Sequence, residues 1–318
     1  MNFVFLGTPL FAKRVLQGLL KRGWTPSAIV TQPEKEPANQ RSRRQSLDSD
    51  LATWARRSLV HIPLLQPQRA SSEKSIAQLK QFQPDVILVA AFGQLLRPNL
   101  LQLPPLGCLN AHTSLLPRWR GAAPVQRAIL AGDVVTGLTL MKMAEELDAG
   151  EIIQQVSVEI EERTRGQLEE VLAHHAAEQF SWALTELREG RDLQSAPQND
   201  HLVTLAPKFG KEEGYIDWSE SALDTHRRIR AATPNPGAWC QIHYRGRLKR
   251  LKLAESHLLA SDAAVDSGAD FDFGSSCLIA KLKDAPLGIG RVQLEGKRWM
   301  GAREFWSGYK RSQPESSE

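Results

Sequence analysis

Through its first half the chain alternates short apolar runs with amphipathic stretches. Residues 3–6 form a continuous apolar run closed by Gly7-Thr8-Pro9. Phe11, Val15, Leu16, Leu19 and Leu20 then share one face of a helical pattern that turns Lys13, Arg14, Lys21 and Arg22 away. Further strands are predicted at 28–31, 84–92, 107–112, 136–143 and 151–158. Thr164 caps a long helix whose apolar stripe is Leu168, Val171, Leu172, Phe180, Leu184 and Leu187, and Gly190 ends it. Strands alternating with helices build a parallel sheet through right-handed crossovers, and such sheets bind ligands at the carboxyl ends of their strands. This half reads as an α/β fold, a Rossmann-like and mostly parallel sheet with flanking helices.

The pattern changes after residue 190. A polar stretch, 191–206, reads as a linker. Beyond it Ser221-Ala-Leu-Asp224 forms a capping box that opens a helix to about Arg230, and Pro234-Asn235-Pro236-Gly237 breaks it. Short strands are predicted at 238–244, 248–253, 276–282 and 290–294, separated by turn residues, which suggests a small OB-like β-barrel. Residues 261–274, rich in Asp, Ala and Gly, read as a flexible loop, and 312–318 as a disordered tail. The expected domains are thus 1–190, a linker 191–206, and a smaller barrel 207–311.

A length of 318 residues supports two domains, and 42% hydrophobic with 24% charged residues is the balance of a globular protein. No basic-then-apolar leader opens the chain, and no apolar run is long enough for a membrane helix. Cys108, Cys240 and Cys277 form neither a CxxC pair nor a zinc set, so reduced thiols in a cytoplasmic, metal-free protein are expected. Cys108 reads as a core residue rather than a nucleophile. His174 and His175, adjacent on a helix, face about 100° apart and make a poor metal pair. Gly7-Thr8-Pro9 lacks the later glycines of a dinucleotide fingerprint, which counts against a nicotinamide dehydrogenase. The net charge of +4 is unevenly spread: from Arg227 to Lys252 there are eight Lys or Arg and no Asp or Glu. Such a run is either a solvated face or a phosphate-contact surface, and composition does not choose between them.

The most chemical stretch is Leu109 to Pro124, LNAHTSLLPRWRGAAP. Asn110 and His112, two residues apart on a strand, point to the same side. A carboxamide can bind a developing oxyanion and an imidazole can move a proton. Asp148, in a short LDAG loop after an apolar strand, supplies a carboxylate. Asn, His and Asp with no Ser or Cys nucleophile suggest direct transfer of a group to an incoming amine.

The whole string resembles the signature of the folate-dependent formyltransferases. The matching positions are Asn110, His112, Ser114 to Pro117, Arg118, Arg120 to Pro124, Leu147, Asp148 and Gly150. Similarity continues in FLGTP at the start, TQP at Thr31 to Pro33, AAFGQLL at Ala90 to Leu96 and APKFGKEEGYIDWS at Ala206 to Ser219. The resemblance implies 10-formyltetrahydrofolate as donor, no metal, and the α-amine of methionine carried on initiator tRNA as acceptor, in translation initiation. It implies that Asn110, His112 and Asp148 are catalytic, with Asp148 orienting His112 and holding a relay water. It implies a folate pocket from Phe92, Gly93, Leu95, Ser114, Leu115, Leu116 and Pro117, chiefly through backbone groups. It further implies tRNA contacts from Arg41, Arg43 and Arg44 and from Arg245, Arg247 and Lys249, in a monomer without membrane association.

One segment departs from the family pattern. After TQP, a glycine- and lysine-rich run is replaced by Glu34 to Arg44, which keeps Arg41, Arg43 and Arg44 but no glycine. Arg118 and Arg120 are equally compatible with the acceptor end of tRNA and with internal pairing. Alternative readings are a sugar-nucleotide N-formyltransferase using the same donor, a formate-releasing hydrolase, and an RNA-binding barrel fused to an inactive folate domain. A glycinamide ribonucleotide formyltransferase would match the first domain alone.

Overall fold

The computed structural model describes residues 1–33, 51–260, 271–274 and 276–310. The basic positions Arg41, Arg43 and Arg44, the tail 312–318 and most of the predicted loop 261–274 lie outside the described residues. The chain forms two compact units. The first holds the described residues of Met1–Pro124, with Val135–Glu159 and Leu168–Pro207. The second holds Val125–Val134, Ile160–Gln167 and the described residues from Lys208 onward. The polar segment 191–206 is therefore part of the first unit.

The first unit is built on a seven-stranded sheet. Its strands are β1 (Phe3–Gly7), β2 (Ala28–Val30), β3 (Leu64–Leu65), β4 (Val86–Ala90), β5 (Cys108–His112), β7 (Val135–Lys142) and β8 (Ile152–Glu159), in the order β3-β2-β1-β4-β5-β7-β8. The first five run parallel, and β5-β7 and β7-β8 are antiparallel. Strands β1, β4 and β5 are buried at every position, as expected for strands covered on both faces. A short parallel pair, β6 (Arg120–Gly121) and β9 (Leu205–Ala206), ties the segment after β5 to the end of the 191–206 stretch.

Helix α1 (Leu10–Lys21) buries Phe11, Val15, Leu16 and Leu19 of the predicted stripe, each contributing roughly 1.5–3 kcal/mol when fully buried, while Leu20 is half-buried. Helices α2 (Leu51–Ser58), α3 (Glu73–Lys80), α4 (Pro98–Leu101) and α5 (Pro124–Ala131) follow, and then α6 (Arg165–Arg188). Helix α6 starts as predicted: the Thr164 hydroxyl accepts from Gln167 N–H while the Gln167 side chain accepts from Thr164 N–H. Gly190, at φ +76°, ends it with its N–H on the Leu187 carbonyl. No helix among the described residues is long and apolar enough to cross a membrane.

The second unit pairs helix α7 (Ala222–Ala232) with an antiparallel sheet. Ser221 caps α7 by accepting from Asp224 N–H at 3.0 Å. The strands are β10 (Ala238–Tyr244), β11 (Arg247–Leu258), β12 (Phe271–Gly274), β13 (Cys277–Lys281), β14 (Pro286–Leu294) and β15 (Met300–Gly301), with helix α8 (Ala302–Lys310) last. The order is β10-β11-β14-β13-β12, with β15 on β14, so among the described residues the sheet is a half-barrel with two ends rather than a closed barrel. Residues 271–274, expected as loop, form the edge strand β12, because Phe271 is buried and packs edge-on against Trp218 at 5.2 Å. Strands β10 and β11 meet in a two-residue turn with Arg245 at φ +51° and Gly246 at φ +68°, the left-handed pair that a tight hairpin requires.

Candidate active site

The carboxyl ends of the parallel strands are laced together by the sequence motifs that end them. Thr8 Oγ1 accepts from Gln32 N–H at 3.1 Å and donates to the Phe92 carbonyl at 3.2 Å. Gln32 Nε2 donates to the same carbonyl at 2.9 Å, and Gln66 Nε2 donates to the Gln32 carbonyl at 3.0 Å. Gly93 must be glycine here: its φ is +78°, and a Cβ would lie 2.2 Å from Gln32 Nε2. The GTP, TQP and AFG motifs thus form one rim. Gln32 and Gln66, which no periodicity marks, are its joints.

Strand β5 carries Asn110 and His112 at the antiparallel edge of that rim. Asn110 faces Met141 and His112 faces Thr139 across the β5-β7 ladder, so the two side chains share one face. Both are buried, at 8% and 6% exposure. No described residue hydrogen-bonds to the Asn110 carboxamide, which therefore has both its donor and its acceptor available to a ligand. His112 is held on both sides. Its Nε2 lies 2.9 Å from the Trp119 carbonyl and its Nδ1 lies 3.6 Å from Asp148 Oδ2. A carbonyl oxygen only accepts, so Nε2 carries the proton of that bond.

Asp148 reaches His112 from the β7-β8 connection. A register shift at Leu140/Met141 precedes that connection. Gly150 closes it against the Lys142 carbonyl, where a Cβ would sit 1.8 Å from the oxygen. Asp148 itself adopts φ +53°, and its Oδ2 accepts from Gly121 N–H at 2.9 Å.

The structure sorts the other predicted positions. Ser114 and Leu116 are buried, and their polar groups are engaged within the protein. Ser114 Oγ donates to the Arg118 carbonyl, the Ser114 carbonyl accepts from Thr139 Oγ1, and Leu116 N–H donates to that same Thr139 oxygen. The Leu116 carbonyl accepts from Gln155. These residues set the shape of the turn. Leu115 packs over Gly137, and Pro117 is partly exposed. The Phe92 side chain sits in the core with Val4, Leu6 and Val89, and its carbonyl belongs to the rim described above, whereas Gly93 and Leu95 are exposed. Arg120 is internally paired: Nε donates to Gln198 at 3.0 Å and the guanidinium meets Asp200 at 3.1 Å and Glu146 at 3.7 Å. The Arg118 guanidinium stacks on the Trp119 ring at 4.4 Å.

Burial pushes the Cys108 thiol up to about 12, so it is a poor thiolate and a core residue, as read from the sequence. His174 and His175 both turn to Glu178, at 3.1 and 3.2 Å, on a helix surface. The run from Arg227 to Lys252 is not one surface. Arg228 forms a fork with Glu220, Arg230 is buried against the Glu161 and Arg163 carbonyls, and Arg227 meets Asp224. Arg245 lies in the exposed β10-β11 turn, Arg247 opens β11, and Lys249 follows on that strand. Arg247 and Lys249 make no ion pair among the described residues.

Comparison with known proteins accounts for both units. Residues 1–184 match the model of the formyl transferase family, and 208–310 match the formyl transferase C-terminal domain. A methionyl-tRNA formyltransferase of Protochlamydia amoebophila is 34% identical over 98% of this chain and 96% of its own. The chain belongs to the methionyl-tRNA formyltransferase family. Among solved structures, this formyltransferase superposes on HypX from Aquifex aeolicus in complex with tetrahydrofolic acid, with a TM-score of 0.67 at 16% identity, covering 97% of this chain and 47% of that one. It also superposes on WlaRD, a sugar 3N-formyltransferase, with a TM-score of 0.64 at 15% identity, covering 94% and 99% of the two chains. At those identities the likeness is one of fold.

Proposed function

We propose that the protein transfers the formyl group of 10-formyltetrahydrofolate to the α-amine of methionine esterified to initiator tRNA. The observation that carries the chemistry is the pairing of a buried Asn110 side chain, unpartnered among the described residues, with an imidazole on the same strand held between a carboxylate and a carbonyl. Family membership across both units supports the substrates. The folate supplies a formyl carbon bonded to N10, the nitrogen it leaves when the new C–N bond to the amine forms. The Asn110 Nδ2 is the donor for an oxygen that gains negative charge as the amine adds, and losing one such donor typically costs ~2.7–4 kcal/mol of barrier. His112 takes a proton from the attacking nitrogen and returns one to the departing nitrogen. Asp148, steadied by Gly121 N–H, faces Nδ1 and holds the ring in place through this exchange.

The exposed Gly93 and Leu95, with Leu115 and Pro117, are proposed to line the donor pocket, while the buried Phe92, Ser114 and Leu116 hold its walls. Asn110 fits a formyl group because its amide lacks any described protein partner. Arg245, Arg247 and Lys249 are proposed to meet tRNA phosphates, as are Arg41, Arg43 and Arg44. The protein is proposed to work as a cytoplasmic monomer with no metal, its catalytic domain 1–190 joined by the segment 191–206, which packs with it, and followed by a tRNA-binding domain 207–311.

The test is direct. The protein is given 10-formyltetrahydrofolate with charged initiator tRNA, with UDP- or dTDP-amino sugars, or with water alone. Formylation of the tRNA is expected, and consumption only with a sugar or with water refutes the reading. His112→Ala and Asp148→Ala are expected to lose orders of magnitude in turnover while binding folate; near-parental rates would remove both from the mechanism.

A further inference from the structure

The segment 191–206 looks like a tether in the sequence, yet two of its side chains reach the groups that surround His112. Gln198 Nε2 donates to the carbonyls of Asp148 at 2.7 Å and Gly150 at 2.8 Å, and its Oε1 accepts from Arg120 Nε. The amide thus gives its N–H groups to the loop that carries Asp148 and its oxygen to Arg120, next to Trp119. Thr204 Oγ1 accepts from Trp119 N–H at 2.9 Å, and the Thr204 carbonyl accepts from Arg120 N–H at 2.9 Å. Trp119 is the residue whose carbonyl receives His112 Nε2–H.

Both recipients have unusual backbones. Trp119 sits at φ +65° and Asp148 at φ +53°. A left-handed conformation is disfavoured for residues with a Cβ, most of all for a bulky aromatic, and persists only where neighbours hold it. Relaxing Trp119 would swing its carbonyl off Nε2. Relaxing Asp148 would move its carboxylate off Nδ1.

We propose that Gln198 and Thr204 are positioning residues that hold Asp148 and the Trp119 carbonyl on either side of His112. They thereby hold the ring with Nε2–H on the Trp119 carbonyl and place Nδ1, on the Asp148 side, as the nitrogen that exchanges protons with substrate. The catalytic consequence rests on the formyl-transfer reading, whereas the tautomer assignment does not.

The experiment compares full-length parent, Thr204→Val, Thr204→Ser and Gln198→Leu proteins. Two readouts are the ¹⁵N NMR signals of the His112 imidazole across a pH series and steady-state kinetics with formyl donor and charged initiator tRNA; thermal unfolding serves as a folding control. The parent is expected to show an Nε2–H signature. Thr204→Val and Gln198→Leu should mix the tautomers, lower kcat about tenfold, the worth of one hydrogen bond, alter the pH dependence of kcat and leave KM within about twofold. Thr204→Ser, which keeps the oxygen, should restore the parental pattern. An Nδ1–H signature in the parent overturns the proposal. So do unchanged imidazole signals in both deleting variants, including the case where activity falls only in step with unfolding temperature. A parent that does not formylate tRNA refutes the functional reading, and the NMR comparison then still decides the positioning role.

Discussion

Replacing Thr139 with valine removes one oxygen and almost no volume, so its effect isolates a hydrogen-bond hub beside the candidate active site. Thr139 is fully buried on β7, opposite His112. Its hydroxyl donates to the Ser114 carbonyl at 2.7 Å and accepts from Leu116 N–H at 3.1 Å and from Gln155 Nε2 at 2.8 Å. Valine strands the first two groups, both in buried residues with no route to water. Gln155 keeps its bond to the Leu116 carbonyl and loses little. A stranded buried backbone group costs about 1–3 kcal/mol, so the pair costs roughly 2–6 kcal/mol, with a central value near 4. With a urea slope of about 2–3 kcal/mol/M, the midpoint of the first unit should fall by about 1.5 M. Thr139→Ser keeps the oxygen and gives up one methyl, about 1 kcal/mol. Urea titration, combined with amide exchange at Leu116 to make the readout local, measures both variants. The valine variant should also bind folate more weakly, since the 114–117 turn loses its anchor. Stability of Thr139→Val within about 0.5 kcal/mol of the parent, or a serine variant as unstable as the valine one, would refute the hub.

Other expectations are as specific. Asn110→Ala should cut kcat by about 10²–10³ with little change in KM, the pattern of a donor used in the transition state; a change confined to KM would assign Asn110 to ground-state binding. Gly150→Ala forces a methyl into the Lys142 carbonyl, so the Asp148 loop must shift, and activity should fall further than folate affinity; an alanine variant of parental activity would show that the close approach is dispensable. Neutralising Arg245, Arg247 and Lys249 together should weaken tRNA binding and flatten its dependence on salt, and an unchanged slope would return these residues to a solvated face. Burial holds the His226 imidazole below its usual range, against the pull of Glu162 at 2.6 Å, with Arg230 and His257 adding like charge. The unfolded chain therefore binds this proton more readily. The stability contributed by the neutral ring is complete above about pH 6.5 and is lost as pH falls through the lower folded value. Urea midpoints from pH 7.5 to 5.5 should decline, and less steeply in His226→Gln; an identical slope would locate the titration elsewhere.

Some of this molecule is local and so legible in one dimension. The buried strands announce themselves because a strand covered on both faces must be apolar throughout, as β1 and β4 are. The caps at Thr164 and Ser221 need only a side chain three residues from its partner. Asn110 and His112 share a face because a strand repeats every two residues. Closure of the second sheet was not legible, since nothing local says whether the end strands pair with each other. The basic run stayed undecided for a related reason: charge composition records how many cations are present, not that Arg228 and Arg230 are consumed by Glu220 and by carbonyls of residues 161 and 163.

What the sequence determined alone was therefore the alternation of elements, their starts and stops, and the pair of side chains on β5, all set by interactions within a few residues. Only the folded chain decided that Asp148 arrives from 36 positions beyond His112, that Trp119 offers its carbonyl, and that a polar stretch near residue 200 holds both. Hydrogen bonds between distant segments depend on where the backbone has been carried by packing, and a glutamine or threonine that makes them looks in sequence like one that faces water.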